Sequence, residues 1–513
     1  MNLLSLSFGM FFLGTLALYN IVPLKRRWWV LLIGSMAFYL LSATAYTVLY
    51  LVFSIMIVYF GARYIAKETS QHKKAVYVTV LGSNVALLVL LKYVNGFWET
   101  GSRLLSLVGV TLPPFAIEWL APLGMSFYTL QLIGYLTDVY WGICSPQQNP
   151  AKLALFASYF PSISSGPILR YHQMEHELFD GHKANYENIT FGMQRILWGL
   201  IKKLVIAERM AAIARPIFAD INMYNGVWLW MGLLAAVLQI YADFSGNMDF
   251  IIGVSECFGV RLPENFRQPF FSLTIQEFWQ RWHITLGEWL KDYIMYPLLR
   301  SKLWAKLGKF TKRRFGKKAA KLLPTLLAMF VLWLVNGIWH AGYPKYIMTV
   351  MWFWFAVTVG QLFEPSGKKL VKLLKINTGC FSWRLFQRMR TIAIYSIGVL
   401  FFSAQSVMTA LKMGKSALFP QNIFELFSPA IISSDKASAL WGGQIGLCVL
   451  LFSLTLLLGV EAFHNRGGNV RKWLAEQNIL FRWIVLAGLI LFFLWFGIFG
   501  PDYDATEFIY ANF

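Results

Sequence analysis

RSKLWAKLGKFTKRRFGKKAAK, residues 300–321, carries ten lysines and arginines and no acid, and LLPTLLAMFVLWLVNGIWH (322–340) follows it at once. Short loops this basic, set between apolar runs, stay on the cytoplasmic side of a membrane. Residues 366–390 read the same way, with Lys368, Lys369, Lys372, Lys375, Arg384, Arg388 and Arg390 and no acid. Two segments on one face are joined by an even number of crossings. The runs 322–340 and 346–363 therefore form a helical hairpin, and His340 lies near its tip, facing away from the cytoplasm or into a cavity entered from outside.

The rest of the chain agrees with this reading. Of 513 residues, 57% are hydrophobic and 17% aromatic, and only 14% are charged, against about 25% in a soluble domain. Apolar runs recur near 3–22, 28–43, 45–64, 76–93, 121–141, 152–168, 190–207, 227–258, 322–340, 346–363, 391–409, 440–463 and 481–500. A crossing needs roughly 20 apolar residues, so the expectation is an all-α polytopic membrane protein with about eleven to thirteen spanning helices. The run 3–22 is read as the first of them, not as a cleaved leader, because no basic stretch precedes it and no small-residue cleavage site follows. One integral domain, 1–513, is expected, its core motifs in 122–352 and its last helices in 391–500. The exception is 259–299, rich in charge and containing Pro263, Pro269 and Pro297. Irregular polar backbone at membrane depth must be covered by protein or line a wet cavity, so short re-entrant or interfacial helices are expected there.

The net charge of +21 invites a nucleic-acid reading, but the cations sit in loops between apolar runs, as Lys25, Arg26 and Arg27 do. They are read as topology signals, and no nucleic acid is expected. The four cysteines are scattered, with no CxxC pair, and so give no disulfide framework. His172 and His176 share one helix face in HQMEH, but the HExxH order is missing and no third ligand is evident; no metal is expected. Nucleophile elbows, Walker loops and dinucleotide fingerprints are absent.

Two Trp-His pairs remain. EFWQRWHITLGEWLKDY (277–293) surrounds His283 with Trp279, Arg281, Trp282, Glu288 and Asp292, and LVNGIWH (334–340) sets Asn336 and Trp339 before His340. A titratable group in an apolar segment is a functional candidate by default, though a helix-end histidine bonded to backbone is the alternative. Burial favours the neutral imidazole, which a general base requires. Asp243, Ser245 and Asp249 lie in the apolar run 227–258, where buried carboxylates require partners. Ser245-Gly246-Asn247 is expected to break that helix, and the passage could line a channel, bind a cation or cap two half-helices.

FRQPFFSLTIQEFWQRWHITLGEWLKDYIMYPL (266–298) followed by NGIWHAGYPKYIMTVMW (336–352) resembles the membrane-bound O-acyltransferase family, in its bacterial polysaccharide-acetylating branch. PLGMSFYTLQLIGYLTDVYWG (122–142), FPSISSGPILRY (160–171), GLIKKLVIAERM (199–210), YADFSGNMDFIIG (241–253) and PENFRQPF (263–270) carry the same resemblance. The ending EFIYANF (507–513) favours polysaccharide acetylation over D-alanyl transfer. The chain departs from the family pattern at LLRSK (298–302), Ala341 and FFSAQS (401–406). The resemblance implies that His340 is the catalytic histidine and His283 the second motif histidine, both inside a central tunnel. The aromatic walls Trp279, Trp282 and Trp339 would exclude water there, and Glu288 and Asp292 would orient His283. No bound cofactor is implied; acetyl-CoA or another acyl thioester is the donor substrate.

The expected partners are the lipid bilayer, the donor, an extracytoplasmic acetyltransferase or polysaccharide acceptor, and an acyl carrier protein in the alternative. The expected location is a bacterial cell membrane, crossed many times. Two other functions stay open: D-alanyl transfer from a carrier to teichoic acid, and a proton-coupled transporter relaying protons through Asp243, Asp249 and the histidines. The basic stretch 300–321 is read as an anchor at the anionic leaflet, or as an attractor for coenzyme A phosphates or an acidic carrier.

Overall fold

The computed structural model describes residues 1–44, 46–67, 72–106, 108–113, 122–183, 185–224, 226–340, 343–418 and 435–499. The ending 507–513 and Ala341 lie outside them. Among the described residues the chain is all-helical, and its one β contact is an isolated bridge between Phe266 and Trp282. Among the described residues, eight helices are long and apolar enough to cross a membrane: Thr47–Ile65, Lys73–Lys92, Val227–Cys257, Lys302–Trp339, Pro344–Leu373, Phe381–Ser403, Gly443–Asn465 and Ile479–Phe496. The chain is a multi-pass membrane protein.

That count is lower than the sequence suggests, for visible reasons. Leu6–Ile21 and Arg27–Ser42 have 16 residues each, and 152–168 folds as the short helix Pro150–Ser158 followed by turns. Met125–Trp141 is 17 residues long and buried along nearly all of its length. It is apolar because it packs on protein on every side, which composition cannot distinguish from lipid.

The described chain forms two compact units interleaved along the sequence. One comprises Met1–Ile196 and Asn247–Pro263, the other Leu197–Gly246 and the chain from Glu264 on. The first unit's core is aromatic: Phe8, Phe38, Phe160 and Phe258 meet edge-on or tilted. Within it, His172 Nδ1 faces Asp138 (3.3 Å) and His176 Nδ1 faces Asp180 (3.0 Å), each histidine toward its own carboxylate. Asp249 is held by Arg195 Nε at 2.9 Å.

The second unit holds both Trp-His pairs together with Asp243 and Ser245. Its basic segment is not a loop. Helix Lys302–Trp339 is interrupted at Gly316 (φ 84°), a left-handed conformation that costs glycine little. The chain reverses there, since Trp304 Nε1 donates to Pro324 O at 3.0 Å, a contact impossible across 20 residues (about 30 Å) of straight helix. Residues 302–315 therefore form one arm of a helical hairpin, and the other arm runs on to Trp339. Beyond Trp339 the chain returns as Pro344–Leu373, packed on the helix before it. The contact is close at Gly337, where a Cβ would lie 2.6 Å from Val350 Cγ2.

The expected short helices of 259–299 are present: the 3-10 turn Pro269–Phe271, Ile275–Arg281, Ile284–Leu290 and a π-helical turn Lys291–Met295 leading into Tyr296–Arg300. Thr274 caps Ile275–Arg281 by accepting from Glu277 N (3.1 Å), while Glu277 Oε2 reaches back to Leu273 N (2.8 Å), a variant of the reciprocal capping box. The expected break at Ser245-Gly246-Asn247 is not there: Val227–Cys257 is one helix of 31 residues. Gly246 is a packing contact, its Cβ position only 2.9 Å from Gly199 O. Its polar neighbours stay helical because they find partners elsewhere, Ser245 at Lys202 and Asn247 at Ser165.

Candidate active site

His283 stands in the left-handed region (φ 46°, ψ 54°), at the start of Ile284–Leu290. A non-glycine residue there costs roughly 1–2 kcal/mol, so something must hold it, and that residue is Asn265. Its Oδ1 accepts from Thr285 N and Thr285 Oγ1 at 3.1 Å each and faces His283 Nδ1 at 3.2 Å. Its backbone oxygen accepts from Ile284 N at 3.0 Å. The Thr285 N–H fixes which end of the Asn265 amide points this way, because only the oxygen can accept it. Nδ1 of His283 is then the protonated nitrogen, and Nε2 carries the lone pair. Burial holds the His283 imidazole well below its ordinary range, and the nearby His340 ring pushes the same way. The ring is neutral, with its basic nitrogen defined.

Aromatic rings pack around this imidazole. Phe244 meets it edge-on (centroids 4.8 Å, 89°). The Trp339 indole neighbours both histidines, 6.5 Å from the His283 ring and 4.8 Å from that of His340. His340 is buried and caps its helix, its N–H donating to Asn336 O at 3.1 Å. Asn336, one turn earlier on the same face, has a buried Oδ1 with no partner among the described residues. Trp282 stacks on Phe278 (5.5 Å, 17°) and Trp279 meets Trp333 and Phe353. Those two tryptophans pack together with Phe278 and Tyr395, while Trp339 is the indole near both imidazoles.

The remaining candidates have other duties. Arg281 bonds Glu277 Oε1 (2.6 Å) and Asn465 Oδ1 (2.9 Å), tying its short helix to the end of Gly443–Asn465. Glu288 and Asp292 are exposed, and the expectation that they orient His283 is corrected: Asn265 holds Nδ1. The helix starts at His283, so residues five and nine positions on are carried round to its outer side. Asp243 and Ser245 are buried and partnered by consecutive lysines. Lys203 Nζ bridges Asp243 Oδ1 (2.5 Å) and Glu208 Oε1 (2.8 Å), and Lys202 Nζ reaches Ser245 Oγ (3.0 Å). The π-helical turn Ile201–Ala207 lets both lysines face inward. Among the described residues no cluster of three or more His, Cys, Asp or Glu is arranged to hold a metal.

Sequence reasoning missed Asn265, Phe244, Lys202, Lys203 and Glu208 as members of this region. Asn265 lies in PENFRQPF and the lysines in GLIKKLVIAERM, so the signal available was motif membership, not spacing.

Two buried imidazoles beside one indole, one with a fixed tautomer, are equipped to move a proton where water is scarce. Residues 145–312 match the model of the MBOAT, membrane-bound O-acyltransferase family, a stretch that includes His283 and stops before His340. The peptidoglycan O-acetyltransferase of Helicobacter pylori is 30% identical over 428 residues, 77% of this chain and 74% of that protein. The chain belongs to the membrane-bound O-acyltransferase family. The "probable alginate O-acetylase" of Pseudomonas aeruginosa is 29% identical over 468 residues, 90% of this chain and 82% of that protein. The teichoic acid D-alanyltransferase of Bacillus subtilis is 30% identical over 252 residues, 48% of this chain and 60% of that protein. As a membrane-bound O-acyltransferase the chain is an enzyme, and its chemistry is acyl transfer.

Proposed function

We propose that this acyltransferase takes an acetyl group from a cytoplasmic thioester, acetyl-CoA or a close equivalent, and passes it through a bacterial cell membrane to hydroxyl groups of an exported or cell-wall polysaccharide. The observation that carries the reading is the buried pair His283 and His340, close enough to act on each other and both beside Trp339, with Asn265 fixing the first ring. His340 is the general base: as the acceptor oxygen attacks the thioester carbonyl, the new C–O bond forms and the hydroxyl proton passes to the imidazole. When the C–S bond breaks, that proton goes to the departing thiolate. Base catalysis of this kind is worth roughly 10²–10⁴ in rate. The Nε2 lone pair of His283 accepts a hydrogen bond that orients the substrate. Repulsion between the rings lets the pair hold one proton at a time. The aromatic walls keep out water, the competing nucleophile. His283 and His340 line the passage by which donor and acceptor meet.

The polysaccharide acceptor is supported by the two O-acetyl-transferring relatives, whose similarity covers most of this chain. D-alanyl transfer is the second reading, supported by a relative that covers about half of it. Purified protein in lipid discs, given labelled acetyl-CoA or a D-alanyl carrier protein, separates the two. Label should move from acetyl-CoA to polysaccharide, and His340→Ala should abolish transfer while leaving the protein folded. Full transfer by that variant would reject His340 as base, and label from the D-alanyl carrier alone would establish the second reading.

A further inference from the structure

The basic hairpin carries a pattern of its own, apart from the two histidines. On the arm 302–315, Trp304, Gly308 and Thr311 face inward: Trp304 bonds Pro324 O, the Cβ position of Gly308 lies 3.7 Å from Ala320 O, and Thr311 is buried. On the opposite side Lys302, Lys306, Lys309 and Arg313 recur at i, i+4, i+7 and i+11, all exposed, which places them in one stripe. Beside that stripe Leu303 and Phe310, two turns apart, are 67% and 61% exposed, and Phe315 at the turn is 62% exposed. A soluble helix rarely shows large apolar side chains alongside an acid-free row of cations. A helix lying in a bilayer interface does so routinely: the rings enter the acyl boundary while long cationic side chains reach up to phosphates. Beyond Gly316 the chain continues into a helix apolar enough to cross the membrane, so the arm is attached where a bilayer surface begins.

We propose that residues 302–315 form a docking surface for anionic phospholipid, with Leu303 and Phe310 seated among the acyl chains and the stripe Lys302, Lys306, Lys309 and Arg313 on headgroup phosphates. The proposal is independent of the acyl-transfer reading. It favours lipid over an acidic polypeptide because the apolar ridge is contiguous with the charge stripe.

Amide hydrogen exchange tests it on the full chain, reconstituted in discs of phosphatidylcholine alone or with a third phosphatidylglycerol. Exchange across 302–321 should slow by at least about tenfold in the anionic discs, since each cation near such a surface contributes measurably. High salt should weaken this protection. The quadruple variant Lys302→Gln/Lys306→Gln/Lys309→Gln/Arg313→Gln should lose it, and so should Leu303→Ser/Phe310→Ser. Unchanged exchange in Gly443–Asn465 serves as the folding control in each variant. Equal exchange in both kinds of disc overturns the proposal. Protection that survives Leu303→Ser/Phe310→Ser, or that polyglutamate induces in neutral discs while phosphatidylglycerol does not, overturns it in favour of an acidic protein partner.

Discussion

Asn265 offers one carbonyl oxygen to three donors, and its replacement separates charge from shape. Asn265→Ala leaves buried donors without an acceptor, each costing about 1–3 kcal/mol, so a lower Tm and a lower kcat are expected together. Asn265→Asp keeps the acceptor but adds a negative charge, which favours protonated His283. The acid limb of the pH–activity profile should then move to higher pH, a shift that a purely structural role would not produce. His283 also links pH to stability. Its folded pKa lies below the unfolded value, so between the two the unfolded chain binds the extra proton and stability rises with pH. The contribution is complete above about pH 6.5 and drains away below it, at up to about 1.4 kcal/mol per pH unit. Thermal unfolding in detergent should show this slope, and His283→Asn, which retains an amide donor toward Asn265 but does not titrate, should flatten it. Both histidines were legible in the sequence because a titratable group beside apolar runs is conspicuous. Asn265 was not, because its importance comes from a backbone turn 18 residues later.

At the scale of elements, the π-helical turn Ile201–Ala207 and the unbroken helix Val227–Cys257 are joined by a buried charge cluster whose members are unequal. Lys203 serves two carboxylates. Lys203→Met would leave Asp243 and Glu208 buried without that cation, a loss on the order of 3–5 kcal/mol. Asp243→Asn leaves Lys203 still paired with Glu208 and should cost clearly less, and adding it to Lys203→Met should recover part of the loss; Tm in one detergent measures all three. The helix pair meeting at Gly337 makes a second test. A Cβ there would press on Val350, so Gly337→Ala should cost about 1–3 kcal/mol by overpacking, and Val350→Ala should restore part of it. Apolar run length located most of these helices correctly. It misread Ser245-Gly246-Asn247 as a break because one strand of sequence cannot show that Lys202 and Gly199 lie opposite. In the sequence the basic hairpin looks like a loop for a related reason: its arms are stabilised by each other, through Trp304 and Pro324, and not by an apolar stripe.

For the whole molecule, charge distribution along the chain argues that 300–321 and 366–390 share one face of the membrane, and the native cysteines provide the test. Cys380 lies within the second basic segment, at the N-cap of Phe381–Ser403. Bonds from the Ser382 hydroxyl and the Trp383 backbone N–H lower its thiol pKa, which raises the thiolate fraction near neutral pH and hence its reactivity. A membrane-impermeant maleimide should label it from the face that also reaches a cysteine placed at Lys312, faster near neutral pH than an ordinary exposed thiol. A cysteine at Gln405, one helix further along, should react only from the other face. Cys257 is buried and Cys448 lies within the spanning helix Gly443–Asn465, so neither should compete for an aqueous reagent. If Cys380 and position 312 were labelled from opposite faces, the even count of crossings between them would fail, and with it the assignment of the His340 end of the hairpin to the far side from the basic segments.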